Sequence, residues 1–286
     1  MKKYKPTSPG RRGMTVVSYG EVLTSTRNTP LKSLTKGARS TGGRNTAGRA
    51  TTHYRGDGHK QTYRVVDFKY DKKEIPAIVE TIEYDPFRSG FIALVLYKDG
   101  ERRYVLAPKG WKKGDEFIVS EKAKPKMGNR MPLGSIPVGT FVFNIELKPN
   151  SGARIVRSAG SYGEVVAQDA EYTLVKLPST EVRRISAHAW ATIGAVSNEE
   201  YRLVTLGKAG RARHLGLRPK TRGSAKNTVD HPYGGGEGRA PRGHKHARTM
   251  QGRPTGKGQK TRSPKKYSNA FIVTKRKPGK LMGGKR

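Results

Sequence analysis

The chain has 286 residues and carries 58 lysines and arginines against 22 aspartates and glutamates, for a formal net charge of +36. So large a cationic excess opposes compaction unless it is neutralised, so we expect a polyanion as the partner. Hydrophobic residues make up only 33% of the chain and cysteine is absent, which excludes a single conventional globule, disulfides and thiolate metal sites.

The charge is concentrated at the two ends of the chain. Residues 1–60 contain 13 basic and 2 acidic residues, residues 61–200 contain 21 and 18, and residues 201–286 contain 24 and 2. A nearly neutral centre between two cationic ends is typical of a folded middle with irregular arms. We therefore predict a basic N-terminal extension (1–60), two β-rich domains (61–125 and 126–200) and a basic C-terminal extension (201–286).

The N-terminal extension is rich in glycine, threonine, serine and arginine and has little apolar periodicity. Val16-Val17 and Val22-Leu23 are its only strand candidates, and we predict that they form one short pair. Glycine next to arginine lets the backbone lie flat while guanidinium groups reach phosphates. A solvated tail is the alternative. No G-x-x-x-x-G-K-[ST] nucleotide loop occurs.

The first β-rich domain contains five predicted strands within about sixty residues. Asp99-Gly100 lies between two of them and is a strong hairpin signal. Short strands separated by turn residues are typical of a small closed barrel, and a five-stranded oligonucleotide-binding barrel is the natural candidate. The predicted strands are Tyr63–Phe68, Ile75–Tyr84, Phe91–Tyr97, Arg103–Leu106 and Glu116–Val119.

A stretch rich in lysine, proline and glycine, Lys122–Pro137, is the predicted connector to a second small barrel. Domains of this size are marginally stable alone, so we expect the two barrels to pack together or to be stabilised by the partner. The predicted strands of the second barrel are Phe141–Leu147, Ile155–Val156, Glu164–Ala167, Tyr172–Leu177 and Glu181–Ile185.

The C-terminal extension is basic and turn-rich beyond Gly207, and only Phe271–Val273 could add a strand. We expect it to order where a polyanion lines it. Its two acids, Asp230 and Glu237, flank His231 and three consecutive glycines. This arrangement predicts a shaped loop that presses backbone and one imidazole against a partner, because glycine permits close approach. A flexible glycine linker is the alternative.

Catalytic and metal chemistry are poorly supported. His244 and His246 lack the cysteines or carboxylates of a zinc site. His231 adjoins Asp230, yet no serine or cysteine nucleophile is marked by its setting. We therefore expect no independent enzyme activity, no cofactor and no metal site.

A nucleic acid is the polyanion that the sequence favours. There is no apolar run or basic amphipathic helix for a membrane, and no recognition helix or zinc module for duplex DNA. Structured RNA accepts irregular cationic chains. The N-terminus lacks a signal peptide, so we expect a cytoplasmic protein, with the interior of an organelle as the alternative.

Several motifs resemble the second protein of the large ribosomal subunit, a family present in all ribosomes. The resemblance spans nearly the whole chain and favours the bacterial or organellar type. One departure is His231-Pro232-Tyr233, where the bacterial pattern usually has a second histidine in place of Tyr233; a flat ring with a polar tip could still stack. The matching stretches are Lys5–Arg12, Gly42–Asn45, Gly58–Gln61, Tyr84–Pro86, Ala93–Tyr104, Arg157–Gly160 and Val229–Arg239.

The resemblance implies an oligonucleotide-binding-like barrel followed by an SH3-like barrel, both on large-subunit ribosomal RNA. It also implies other ribosomal proteins as neighbours, a small-subunit contact at the subunit interface, support of subunit association and tRNA binding, and a tail reaching toward the peptidyl transferase centre. A general RNA-binding or RNA-chaperone protein outside the ribosome is the alternative.

The predicted RNA-binding residues combine cations, rings and the glycines of the loop. Arg88 and Arg157 each precede a serine in a strand-edge motif, where small neighbours would expose the guanidinium for bidentate phosphate contact. For His231 we favour an architectural role over a general base. The full set is Arg11, Arg12, Arg44, Arg49, His53, His59, Lys60, Arg64, Arg88, Arg157, Lys208, Arg211, Arg213, Arg218, Arg222, His231, Tyr233, Gly234, Gly235, Gly236, Arg239, Lys257, Lys260 and Arg262.

Overall fold

A computed structural model of the chain describes residues 1–24, 29–238, 243–256 and 261–276. These residues are mainly β: their strands form two curled sheets and three short strand pairs, and their α-helices are one or two turns long. In chain order the elements are β1 (Lys2–Lys3), α1 (Pro9–Arg12), β2 (Thr15–Val16), β3 (Thr35–Ala38), β4 (Gln61–Arg64), β5 (Ala77–Glu83), β6 (Ile92–Tyr97), β7 (Arg102–Leu106), β8 (Glu116–Phe117), β9 (Arg130–Pro132), β10 (Phe141–Phe143), β11 (Gly163–Gln168), β12 (Tyr172–Lys176), β13 (Val182–Ser186), β14 (Trp190–Ile193), α2 (Ala209–His214), β15 (Ala247–Arg248), β16 (Pro254–Thr255) and β17 (Ile272–Thr274).

The first sheet contains four antiparallel strands in the order β7-β6-β5-β8. The predicted Asp99-Gly100 hairpin joins β6 to β7, with Leu96 opposite Arg102. Gly100 has φ +87° and its N–H donates to the Tyr97 carbonyl at 2.9 Å, a conformation that glycine adopts without strain. The predictions of these four strands are therefore confirmed, with ends that differ by up to two residues.

The fifth predicted strand of this barrel pairs elsewhere. β4 pairs with β3, and beyond β4 only Val66 bridges β7, at Tyr104. β3 lies in the extension that was expected to be irregular, and its Thr-Lys-Gly-Ala sequence has no apolar alternation to predict it. The segment is anchored by Leu31 and Leu34, which pack on the cluster containing Val66 and Tyr104.

The second sheet contains seven strands in the order β17-β13-β12-β11-β10-β14-β9. β10 to β13 confirm predicted strands, and β17 confirms that Phe271–Val273 could add a strand, since Ile272 pairs with Arg183. Ile155, by contrast, makes only a single bridge, to Ile145. Two strands were missed: β9 lies inside the predicted connector, and β14 is a fully buried Trp-Ala-Thr-Ile run without alternation.

The predicted pairing of Val16-Val17 with Val22-Leu23 is wrong. β2 pairs instead with β1, so that Lys2 lies opposite Val16. Val17 is buried in the first barrel's core, and a 3-10 turn at Tyr19–Glu21 directs the Tyr19 ring onto Tyr84 and Phe91. Packing of these residues on the barrel therefore replaces the local hairpin.

A buried ion pair lies where the two barrels meet. The Arg130 Nη2 and Glu146 Oε1 atoms are 2.9 Å apart, and Arg130 Nη1 donates to the Asn144 carbonyl at 2.7 Å. The Arg130 guanidinium also lies 4.5 Å from the ring centroid of Tyr70, whose hydroxyl accepts from Asn144 at 2.9 Å. Both members of the pair belong to the second predicted domain, and the contacts of Arg130 and Asn144 with Tyr70 join it to the first, which agrees with the expectation that the barrels pack together. The predicted domain boundaries themselves stay predictions.

Candidate RNA interface

The two basic extensions meet each other along their backbones. Gly56 N–H donates to the Gly216 carbonyl at 2.9 Å and His59 N–H to the His214 carbonyl at 2.9 Å, and Arg55 bridges Leu217. A side chain at Gly58 would collide with this strand, since its Cβ would lie 2.7 Å from the Gly216 nitrogen. The predicted arms are therefore one composite cationic unit.

A second contact between the extensions lies nearer the N-terminus. Gly207 has φ +76°, and a Cβ there would lie 2.3 Å from the Gly10 carbonyl oxygen. Arg211 Nη1 donates to the carbonyls of Thr15 at 3.1 Å and Thr205 at 3.3 Å. Arg211 was predicted to bind RNA, and in this structure its guanidinium joins the two extensions.

A groove of about 990 Å³ opens between these segments. Its walls come from residues between 37 and 60 of the N-terminal extension, from residues 215–216 of the C-terminal extension, and from Gln61 and Phe87. Three cations line it: Arg39, Arg55 and Lys60. Of these only Lys60 was predicted, because arginines scattered in an irregular extension give no spacing that marks a groove.

The His231 loop has a defined backbone. The Asn227 carbonyl accepts from the N–H groups of Asp230 at 3.0 Å and His231 at 3.2 Å, and Gly234 N–H donates to the His231 carbonyl at 2.8 Å. A Cβ at Gly234 would lie 2.1 Å from the Asn227 oxygen, and one at Gly235 would lie 2.4 Å from a Thr228 methyl carbon. The loop is therefore shaped, as expected, and these two glycines are already required by contacts within the chain.

The His231 imidazole is held on two sides. Tyr233 N–H donates to its Nδ1 at 3.0 Å, and the ring covers Gly223, where a Cβ would lie 2.5 Å from the imidazole Cε1. Because Nδ1 accepts this hydrogen bond, the proton of the neutral ring lies on Nε2. His231 Nε2 can therefore donate to a partner in this arrangement.

Tyr233 lies between two imidazole rings. Its ring centroid lies 5.1 Å from that of His231 and 5.7 Å from that of His244, and its hydroxyl accepts from the Arg248 N–H at 2.5 Å. The planes of these rings are tilted by 41° and 39°, so Tyr233 contacts both imidazoles within the chain, and its stacking on RNA stays a prediction. The adjoining cleft also contains His53 of the N-terminal extension, so both extensions reach this loop.

Arg88 and Arg157 flank a single ring, that of Phe68. Arg88 lies 5.3 Å and Arg157 4.6 Å from its centroid. Arg88 also forms an ion pair at 2.5 Å with the buried Asp85 carboxylate, whereas Arg157 is exposed. Phe68 thus places the two predicted arginines side by side.

The other predicted residues fall into three groups. Arg64 is buried, donates to the Thr62 carbonyl at 2.9 Å and, within the described part of the chain, has no hydrogen-bond partner for Nε. Arg11 is partly buried over the Tyr4 ring, at 5.5 Å. Exposed residues are Arg12, Arg44, Arg49, His53, His59, Lys60, Lys208, Arg213, Arg218, Arg222 and Arg262, whereas Arg239, Lys257 and Lys260 lie outside the described residues.

Among the residues that the structure describes, no group of three or more histidines and carboxylates could hold a metal ion. Over the same ranges, no helix is long and apolar enough to cross a membrane.

Comparison with known families gives two matches in chain order. Residues 31–120 match the family described as "Ribosomal Proteins L2, RNA binding N-terminal domain". Residues 126–252 match "Ribosomal Proteins L2, C-terminal domain". The two matches cover the four-stranded sheet, the seven-stranded sheet except β17, and also β3 and the His231 loop.

Proposed function

Because the chain belongs to the ribosomal protein L2 family, we propose that its composite extensions follow ribosomal RNA inward and place the His231 loop beside the peptidyl transferase centre. The chain is a structural, RNA-binding protein of the large ribosomal subunit. The predicted fold class, an oligonucleotide-binding-like barrel followed by an SH3-like barrel within a mainly β chain, is confirmed.

The shape of the His231 loop is the observation that supports the finer proposal. Its glycines pack on Asn227 and Thr228, and His231 lies against Gly223 with Nδ1 already bonded to Tyr233. A loop held by so many contacts within the chain can present one N–H donor, His231 Nε2, in a fixed direction. RNA can position its own substrates by proximity, and a fixed donor would support that geometry without acting as a base.

Reconstituted large subunits containing His231→Gln or His231→Ala test this role. Glutamine supplies an N–H donor but no base near neutral pH, so we expect His231→Gln to retain assembly and peptide-bond formation within a few-fold. His231→Ala should lower assembly or peptide-bond formation by about ten-fold or more, since a hydrogen bond to RNA and ring contacts are lost together. His188→Gln, at an exposed histidine of the second barrel, is the matched control.

The opposite outcome has a distinct signature. If both His231 variants assemble normally and both lose peptide-bond formation by orders of magnitude, the imidazole acts chemically and the architectural role is wrong. The same particles can be assayed for association with small subunits and for tRNA binding. We propose that the chain supports both subunit association and tRNA binding, since its two extensions carry most of the net positive charge. Placement in cytoplasmic rather than organellar ribosomes also remains a proposal.

A further inference from the structure

An exposed pair of aromatic rings stands at one end of the groove between the extensions. The ring centroids of Tyr63 and Phe87 lie 5.4 Å apart, with the planes at 80°. The two residues are 37% and 44% exposed, so neither ring serves the barrel core. Two perpendicular rings facing water form a corner against which a third flat group can stack.

Buried and paired backbone holds this corner in place. Asp85 is fully buried, and its carboxylate accepts from Phe87 N–H at 2.9 Å while also pairing with Arg88. Tyr63 lies on β4 opposite Lys36 of β3. Alternate residues of a strand share a face, so Tyr63 faces the same side as Gln61, which lines the groove. The corner is therefore preformed.

The groove beside the corner is cationic. Arg39, Arg55 and Lys60 line it and are exposed, and within the described residues none of the three forms an ion pair. Among the described residues that line the groove, Asp57 is the one acid. Unpaired guanidinium and ammonium groups beside exposed rings match the two parts of a nucleotide, its phosphate and its base.

We propose that this groove binds an unpaired nucleotide of RNA, whose base stacks in the Tyr63–Phe87 corner while Arg39, Arg55 and Lys60 hold the flanking phosphates. An unpaired base is required because the bases of an A-form duplex are stacked inside the helix and expose no ring face. The proposal rests on the RNA-binding role above and specifies which RNA feature this part of the surface takes.

Binding of the full-length chain to two RNA probes tests the proposal. One probe is a 12-nucleotide oligo(A) with a central 2-aminopurine, and the other is a fully paired 12-base-pair RNA duplex. We expect Phe87→Leu to weaken oligo(A) binding by about 5- to 150-fold, the range for loss of one stacked base, and to abolish 2-aminopurine quenching. Its affinity for the duplex should change less than about two-fold, because the cations remain.

Two control variants distinguish the contribution of base stacking to RNA affinity from the contributions of charge and of exposed rings elsewhere on the surface. Phe141 forms an exposed ring pair with Tyr162, at 4.5 Å, and is 47% exposed, so Phe141→Leu removes an equivalent ring outside the groove. Phe141→Leu should therefore leave the affinities for oligo(A) and for the duplex unchanged. Arg55→Gln should weaken binding of both probes together.

Each other result has a definite meaning. Unchanged oligo(A) binding by Phe87→Leu would overturn the proposal, and so would equal losses on both probes or an equal loss in Phe141→Leu. If the wild-type chain binds neither RNA, the RNA-binding role fails with it. If the wild type binds both probes with unchanged 2-aminopurine fluorescence, only the stacking site fails.

Discussion

Replacing Glu146 by glutamine tests how strongly the two barrels depend on one buried charge pair. Arg130 and Glu146 are 1% and 2% exposed, and their side chains are joined at 2.9 Å. Glu146 Oε2 also accepts from the Asn150 N–H at 2.9 Å. The Glu146→Gln substitution preserves the side-chain volume and one carbonyl acceptor but removes the negative charge. The positive charge of the Arg130 guanidinium is then buried without a negative partner.

The expected cost is large. Removing one partner of a buried ion pair destabilises proteins by about 3–5 kcal/mol, and domains are stable by only about 5–15 kcal/mol. The Arg130–Tyr70 stacking and the Asn144 carbonyl remain in the variant, so we expect the lower half of that range. The matched control is Glu164→Gln, which removes the charge from an exposed pair with Lys176 at 3.0 Å and should cost less than about 1 kcal/mol.

Urea unfolding of the RNA-free, full-length variants, followed by tryptophan fluorescence, measures both effects. The backbone N–H of Trp190 donates to Glu146 Oε2 at 3.4 Å, and the Trp190 side chain is buried beside the pair, so its emission reports on unfolding of this region. A Glu146→Gln midpoint that matches that of Glu164→Gln would refute the reasoning. It would mean that water or a rearranged carboxylate reaches Arg130 once Glu146 is neutral.

Two other predictions concern the cationic tail and a buried tyrosine. Deleting residues 201–286 removes 24 cations, so the affinity for ribosomal RNA should depend less steeply on salt concentration. Binding titrations at about 50 to 300 mM salt measure this slope. An unchanged slope would place the phosphate contacts on the barrels. Burial raises the pKa of Tyr70 to about 12. Its contribution to stability is thus complete below the unfolded pKa of about 10 and is lost as the pH rises through 12. Phenylalanine cannot ionise, so between about pH 9 and 12 the free energy of unfolding of Tyr70→Phe, measured in urea, should fall less than that of the wild type. An equal fall with pH in the two proteins would show that Tyr70 does not cause this loss of stability.

Local patterns predicted the central strands because those residues carry their own signals. Asp99-Gly100 marks a hairpin wherever it lies between apolar runs, and β6 is apolar enough to require burial. β9 and β14 lack such signals. β9 is a three-residue strand that ends in Pro132, and β14 is paired with it through contacts about sixty residues apart in sequence. Strands defined by a distant partner are not visible in a local pattern.

In the candidate site, too, some features were predictable from the local sequence and others depended on distant contacts. The shaped character of the His231 loop was predictable because proline, glycines and the tail's two acids coincide there. The sequence did not show that Gly234 and Gly235 pack on Asn227 and Thr228, because a glycine marks close approach without naming the neighbour. The Tyr63–Phe87 corner escaped prediction for a related reason: Tyr63 lies on β4 and Phe87 follows β5, and only the fold brings the two rings together.

The contact between the extensions links these observations to RNA. Between residues 39 and 60 no side chain is buried, and the facing segment 208–238 buries only Gly216. Apolar burial therefore cannot hold the two segments together, and each backbone hydrogen bond between them contributes only about 1 kcal/mol net. Both segments are cationic, so their contact is opposed by repulsion until phosphates neutralise it. The backbone hydrogen bonds fix which residues face each other, and we expect bound RNA to supply most of the free energy that keeps them there.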